Sequence, residues 1–138
     1  MRFKAIILCV LFCGIAHGAA AQQAQTREQQ EKQLYENIQK QVDDMTSHLD
    51  LADWQVFYTD SILTHNYGEM SREFEELSNS KVSNTDLYYV IQDKWMEETY
   101  NALHKVFNDE QWAKYLKSGG ARDKKARDKR AAKRENKK

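Results

Sequence analysis

His65, Glu69 and Glu73 fall at i, i+4 and i+8, so on a helix they share one face and offer an imidazole and two carboxylates, donor types that zinc accepts. A zinc site needs three or four donors converging on one point, with further groups orienting them, and three side chains strung along a straight face read more simply as a charged surface. They form the chain's candidate metal set, and the expectation is that no metal binds. Four adjacent acid pairs, Asp43-Asp44, Glu75-Glu76, Glu97-Glu98 and Asp109-Glu110, resemble acid–base machinery. Neighbours on a helix point about 100° apart, however, and cannot meet on one substrate atom, so these pairs read as solvated faces. His48 and His104 have no ligand partner at helical spacing, and no phosphate-cradling glycine loop, Ser/His/Asp set or Cys/His set can be nominated. The chain is read as a non-enzyme without a cofactor.

Contact chemistry remains. Thirteen aromatic residues lie between Gln22 and Leu116, many of them Tyr and Trp, which tolerate a surface dry on one side and wet on the other. Trp54, Tyr58, Tyr88, Tyr89 and Trp95 are the candidates for contact with another protein. Trp54 leads them because it sits in the first turn of a helix whose start is fixed by a local motif, and aromatic anchors often dominate binding energy.

That motif occurs twice, as Leu51-Ala52-Asp53-Trp54-Gln55 and as Phe107-Asn108-Asp109-Glu110-Gln111. In the second copy Asn108 is a good N-cap and Gln111 can reach back to the cap's own N–H, which makes a capping box; Leu51 with Val56, and Phe107 with Trp112, supply hydrophobic staples. The body between and around these starts reads as helix, with no proline to interrupt it. A first helix opens at Thr26-x-x-Gln29 and carries Leu34, Ile38, Val42, Met45 and Leu49 on one face. A second runs from about Asp53 to Leu77 with one stripe through Val56, Leu63, Tyr67, Met70, Phe74 and Leu77 and another through Trp54, Tyr58 and Ile62. Asn79 to Asn84 breaks the pattern. Ser83 and Asp86 open a third, with stripes through Tyr88, Ile91, Trp95, Ala102 and Val106 and through Tyr89, Met96, Tyr100, Leu103 and Phe107. A fourth follows from Asp109, and Gly119-Gly120 ends or bends it. The expected fold is all-α, about four helices in an elongated hairpin arrangement. The double stripes on the second and third helices exceed what one partner helix covers, which favours a homodimer in so small a chain.

Compartment follows from the first residues. Met1 to Lys4 is basic, Ala5 to Ile15 is almost wholly apolar, and Ala19-x-Ala21 offers a cleavage site, so residues 1–21 are read as a signal peptide cut near Ala21. The apolar run is well short of the roughly 20 residues a membrane-spanning helix needs, and no transmembrane helix is expected in the mature chain. Cys9 and Cys13 are expected to leave with this leader, and neither follows a small residue as lipidation would require.

The formal net charge of zero hides an asymmetry: Gln22 to Leu116 holds eight Lys/Arg against 18 Asp/Glu, and Lys117 to Lys138 holds 11 against three. Residues 22–118 are therefore read as one helical domain and residues 119–138 as a basic low-complexity tail with nothing larger than Ala to bury. The tail lacks aromatics to stack on bases, which argues against nucleic acid. Its expected targets are the protein's own acidic body, anionic lipid or lipopolysaccharide phosphates, or an acidic partner.

The paired motif resembles the LTxxQ motif that also occurs twice in the Spy/CpxP superfamily of small helical periplasmic proteins, over about Thr26 to Leu116. Leu51, Gln55, Phe107, Asn108 and Gln111 carry the resemblance. It implies a periplasmic or secreted protein, a cradle-like antiparallel homodimer, and a role either as an ATP-independent chaperone for unfolded or partly folded envelope proteins or as an adaptor that restrains an envelope-stress sensor. The alternative is a structural or regulatory protein whose basic tail docks to anionic envelope components or to a sensor domain. Ala52 stands where the family has Thr. Alanine cannot cap, so Asp50 or Asp53 is expected to take over and the helix start to shift by a residue or two.

Overall fold

The computed structural model describes residues 26–81 and 84–136. The leader with its cleavage site, Cys9 and Cys13, and the expected helix opener Ser83 lie outside the described residues. Helix α1 spans Arg27–Leu49. Thr26 Oγ1 accepts from the Gln29 amide at 3.3 Å and Gln29 Oε1 accepts from the Thr26 amide at 3.0 Å, so the expected box closes. The helix stops at Asp50, which adopts the left-handed conformation (φ 51°) and sends its N–H to the Thr46 carbonyl.

Helix α2 spans Asp53–Asn79, α3 spans Thr85–Val106 and α4 spans Asp109–Tyr115. Asn84 caps α3, its Oδ1 accepting from the Asp86 amide at 2.9 Å. A widened helical turn, Leu116–Gly120, then leads into α5, Ala121–Glu135. Gly119 stands at φ 134°, a backbone conformation other residues rarely adopt, and there the fourth helical rod bends rather than ends. Gly120 lies so close to Tyr115 that an added Cβ would sit 2.6 Å from its ring. The fold is all-α, and the described residues contain no strand.

Helix α2 is central, with α1 on one side and α3 on the other; α5 lies on α3, and α4 touches α1. Leu49, Leu51, Leu103 and Phe107 form one buried cluster where α1 ends, α2 begins and α3 ends. Ile38, Val42 and Leu63 form a second between α1 and α2. The first helix thus buries the face its spacing predicted.

The expected stripes of the other two helices are buried or half-buried except at Trp54, Tyr58 and Tyr89, but they omit the polar residues that share the seam. On α2 the buried positions include Gln55, Thr59 and Asn66, and on α3 they are Asp93, Thr99 and Leu103. The α2–α3 seam is therefore partly polar. Asn66 Nδ2 donates to Thr99 Oγ1 at 3.0 Å, and that hydroxyl donates to the Trp95 carbonyl at 2.8 Å. Asn66 and Thr99 satisfy one another, which offsets the penalty of burying them, whereas the buried Thr59 hydroxyl has no hydrogen-bond partner.

The basic segment corrects the expectation that it has nothing larger than Ala to bury, because it buries Arg127, and it does so against the protein's own acidic residues, one of its expected targets. Arg127 is buried, with Nε 3.2 Å from a Glu97 carboxylate oxygen and the guanidinium 5.5 Å over the Tyr100 ring. Arg127, Arg130 and Arg134 fall at spacings of three and four and line the α3-facing side of α5. No helix among the described residues is long and apolar enough to cross a membrane.

Candidate functional site

The two motif copies, far apart in sequence, meet through their glutamines. Gln55 Nε2 donates to Gln111 Oε1 at 2.7 Å, and Gln111 Nε2 donates back to Gln55 Oε1 at 2.9 Å. Each amide also donates outward: Gln55 to the Val106 carbonyl at 3.0 Å, and Gln111 to the Asp50 carbonyl at 3.3 Å. Each Oε1 accepts a second bond from its own cap amide, Ala52 N–H and Asn108 N–H, both at 3.0 Å. Both side chains are buried, and every donor and acceptor of the two amides is used. The pair joins the start of α2 to the start of α4 while satisfying the ends of α1 and α3.

This joint corrects the expectation at Ala52. Ala52 remains the N-cap residue and α2 begins at Asp53 without a side-chain cap, because Gln55 is held from the far side by Gln111. Asp50 serves instead as the cap of α1. Leu51 and Phe107 lie in the core, and Trp112 packs against the same cluster while stacking on His104 at 4.2 Å.

Gln55 points inward, and Trp54, Phe57 and Tyr58 fan out on one flank of the helix, at about 100° per residue standing roughly 100°, 160° and 60° from it in the same rotational sense. They are 57%, 66% and 52% exposed and touch edge to face, Trp54–Tyr58 at 6.2 Å and Phe57–Tyr58 at 5.6 Å between ring centroids. Phe57 belongs to neither expected stripe. Reading the positions opposite Gln55 would have found it.

The other candidates lie elsewhere. Tyr88 is half-buried against Phe74, at 5.6 Å, about 30 Å along α2 from Trp54. Tyr89 is exposed beside Leu87 and Val90 at that far end, with Arg130 of α5 over its ring at 5.7 Å. Trp95 is half-buried, edge-on to His65 and under Lys94. The five candidates therefore form no single surface: Trp54 and Tyr58 share one patch with Phe57, Tyr89 belongs to a second, and Tyr88 and Trp95 help build the α2–α3 hairpin.

The metal candidates are otherwise engaged. Glu73 Oε1 accepts from Lys94 Nζ at 2.7 Å, Glu69 pairs with Arg72, and each carboxyl is held below the usual range mainly by that hydrogen bond. Among the described residues no group of three or more His, Cys, Asp or Glu is placed to hold an ion.

Asp93, which no motif singled out, anchors α5. Its side chain is 8% exposed and receives Arg130 Nε at 3.0 and 3.1 Å and both terminal nitrogens of Arg134 at 3.0 Å. Burial works against its charge, but the bonds from Arg130 and Arg134 outweigh that and hold the carboxyl below its ordinary range. A carboxyl depressed on folding stabilises the contact fully above the unfolded pKa, about 3.9, and the contribution is lost as pH falls through the lower folded value. The α3–α5 contact should therefore be intact at pH 5 and loosen only below about pH 4. Amide exchange along Ala121–Glu135 as a function of pH checks this, and Asp93→Asn should bring the loosening to neutral pH.

No protein-family model, curated protein or solved structure matches the chain.

Proposed function

We propose that the chain is an exported, ATP-independent binding protein of the chaperone or envelope-stress-adaptor type. It holds apolar segments of partly unfolded envelope proteins on the Trp54–Phe57–Tyr58 patch. The observation that carries this reading is that three large rings stand more than half exposed in mutual contact. A rigid aromatic cluster loses little conformational freedom on binding and accepts many apolar partners, while the acid excess of residues 26–116 keeps a loaded complex soluble. The Spy/CpxP-like motif, the leader and a periplasmic location belong to the same proposal. So does a homodimer, in which one of the two exposed apolar patches contacts a second copy.

The alternative, docking to anionic envelope components or a sensor domain through the basic tail, draws support from Lys125, Lys129 and Lys133. They recur every fourth residue on the outer side of α5, exposed and without an ion pair among the described residues. One variant separates the readings. Changing the three lysines to Ser leaves the arginines on Asp93 and Glu97. Under the chaperone reading, the wild-type chain suppresses light scattering by an aggregating client near equimolar ratio without ATP, and the lysine variant does so equally well. Protection that is absent in the wild type, or lost with the lysines, favours docking instead.

A further inference from the structure

A cleft of about 350 Å3 opens between α1 and the bend joining α4 to α5, with α3 behind it. Met45, Leu49, Tyr67, Met96, Leu103 and Tyr115 supply its apolar lining, and Asp44, His48, Ser118 and Asp123 stand around it. Burial raises the phenols of Tyr67 and Tyr115, although a hydrogen bond with Gln41 works against this at Tyr67, so both rings are neutral at physiological pH. No Lys or Arg lines the cleft. Arg122, beside the bend, pairs with Asp123 at 3.2 Å, and Arg127 is held by Glu97 on the α3 side. Asp44 has no ion-pair partner among the described residues.

We propose that this cleft binds a small amphipathic cation, its apolar or aromatic body lying among Met45, Met96, Tyr67 and Tyr115 and its ammonium group held at Asp44. The volume is that of a small-ligand site, about 300 Å3 or more. Methionine sulfur and tyrosine faces receive an aromatic or alkyl body without demanding one shape, and electron-rich ring faces favour a nearby cation. Asp44, without an ion-pair partner among the described residues, chooses the sign, Asp123 being paired with Arg122: an ammonium approaches an opposite charge, whereas a carboxylate ligand meets a like one. The bend makes the shape, because Gly119 turns the chain and Gly120 lets Tyr115 lie flat against the backbone. The cleft shares no residue with the Trp54–Phe57–Tyr58 patch, so the two sites stand or fall separately.

Methyl-labelled methionine reads the cleft directly, since Met45 and Met96 line it while Met70 does not and serves as the control. The full chain is titrated with phenethylammonium, 2-phenylethanol and 3-phenylpropionate. Saturable shifts at Met45 and Met96, with Met70 unmoved and the ammonium binding at least about tenfold tighter than the carboxylate, are expected. Asp44→Asn, at an exposed position that leaves the core untouched, should weaken the ammonium about three- to tenfold and leave aggregation suppression unchanged. The proposal is overturned if no probe gives saturable shifts, if Met70 moves with the others, if the three probes bind alike, or if Asp44→Asn changes nothing. Asp123→Asn, which leaves the Arg122 guanidinium beside the bend without its carboxylate, is the second variant, expected to act in the same direction.

Discussion

Replacing Gln111 with Ala should cost about 2–4 kcal/mol of stability. The loss is large because the side chain satisfies several groups at once. Without it, the Asp50 carbonyl and the Asn108 amide lose their side-chain partner, and buried Gln55 is left with one unpaired N–H and an Oε1 that keeps only the bond from the Ala52 amide. Gln55→Ala should cost a similar amount by symmetry, stranding the Val106 carbonyl and the Ala52 amide. The double replacement should cost less than the sum by about 1–3 kcal/mol, since each single change already forfeits the shared pair. Urea denaturation followed by circular dichroism measures all three. Strict additivity would show that the amides act as two independent caps rather than one joint.

Why the joint was only half legible follows from what a sequence pattern encodes. The spacing of Asn108 and Gln111 encodes a local box, and that box forms. Nothing local encodes that two box glutamines 56 positions apart face one another. The pattern at Ala52 therefore predicted a displaced helix start, and the bond across to Gln111 is what keeps it in place. Helix α1 was readable because a single apolar stripe, Leu34 to Leu49, makes its contacts with the core. The stripes of α2 and α3 misled where Thr59, Asn66 and Thr99 supply the seam, since period alone does not distinguish a buried threonine from a solvated one. In α5 the rule that buried side chains are apolar failed, because Arg127 has Glu97 and the Tyr100 ring opposite it. Glu97 likewise left the class of solvated acid pairs by facing α5, while Glu98 stayed exposed.

Changing Trp54, Phe57 and Tyr58 together to Ser should abolish most client binding while leaving the fold intact. All three side chains stand mainly in solvent, and neither buried cluster includes them. Their removal therefore takes little from the core, whereas each aromatic anchor in an interface contributes on the order of 1–2 kcal/mol or more. The same variant tests the homodimer: if the patch at the start of α2 is also the contact with a second copy, light scattering coupled to size exclusion will report a smaller species, and if the contact lies at Leu87, Tyr89 and Val90 it will not. Circular dichroism should match the wild type in either case.

The most direct measurement is the anisotropy of a fluorescently labelled, permanently unfolded client fragment titrated with wild-type protein and with this triple variant. The account predicts saturable binding by the wild type and at least about a tenfold loss of affinity in the variant, equivalent to about 1.4 kcal/mol or more. Equal affinity in the two proteins would contradict it.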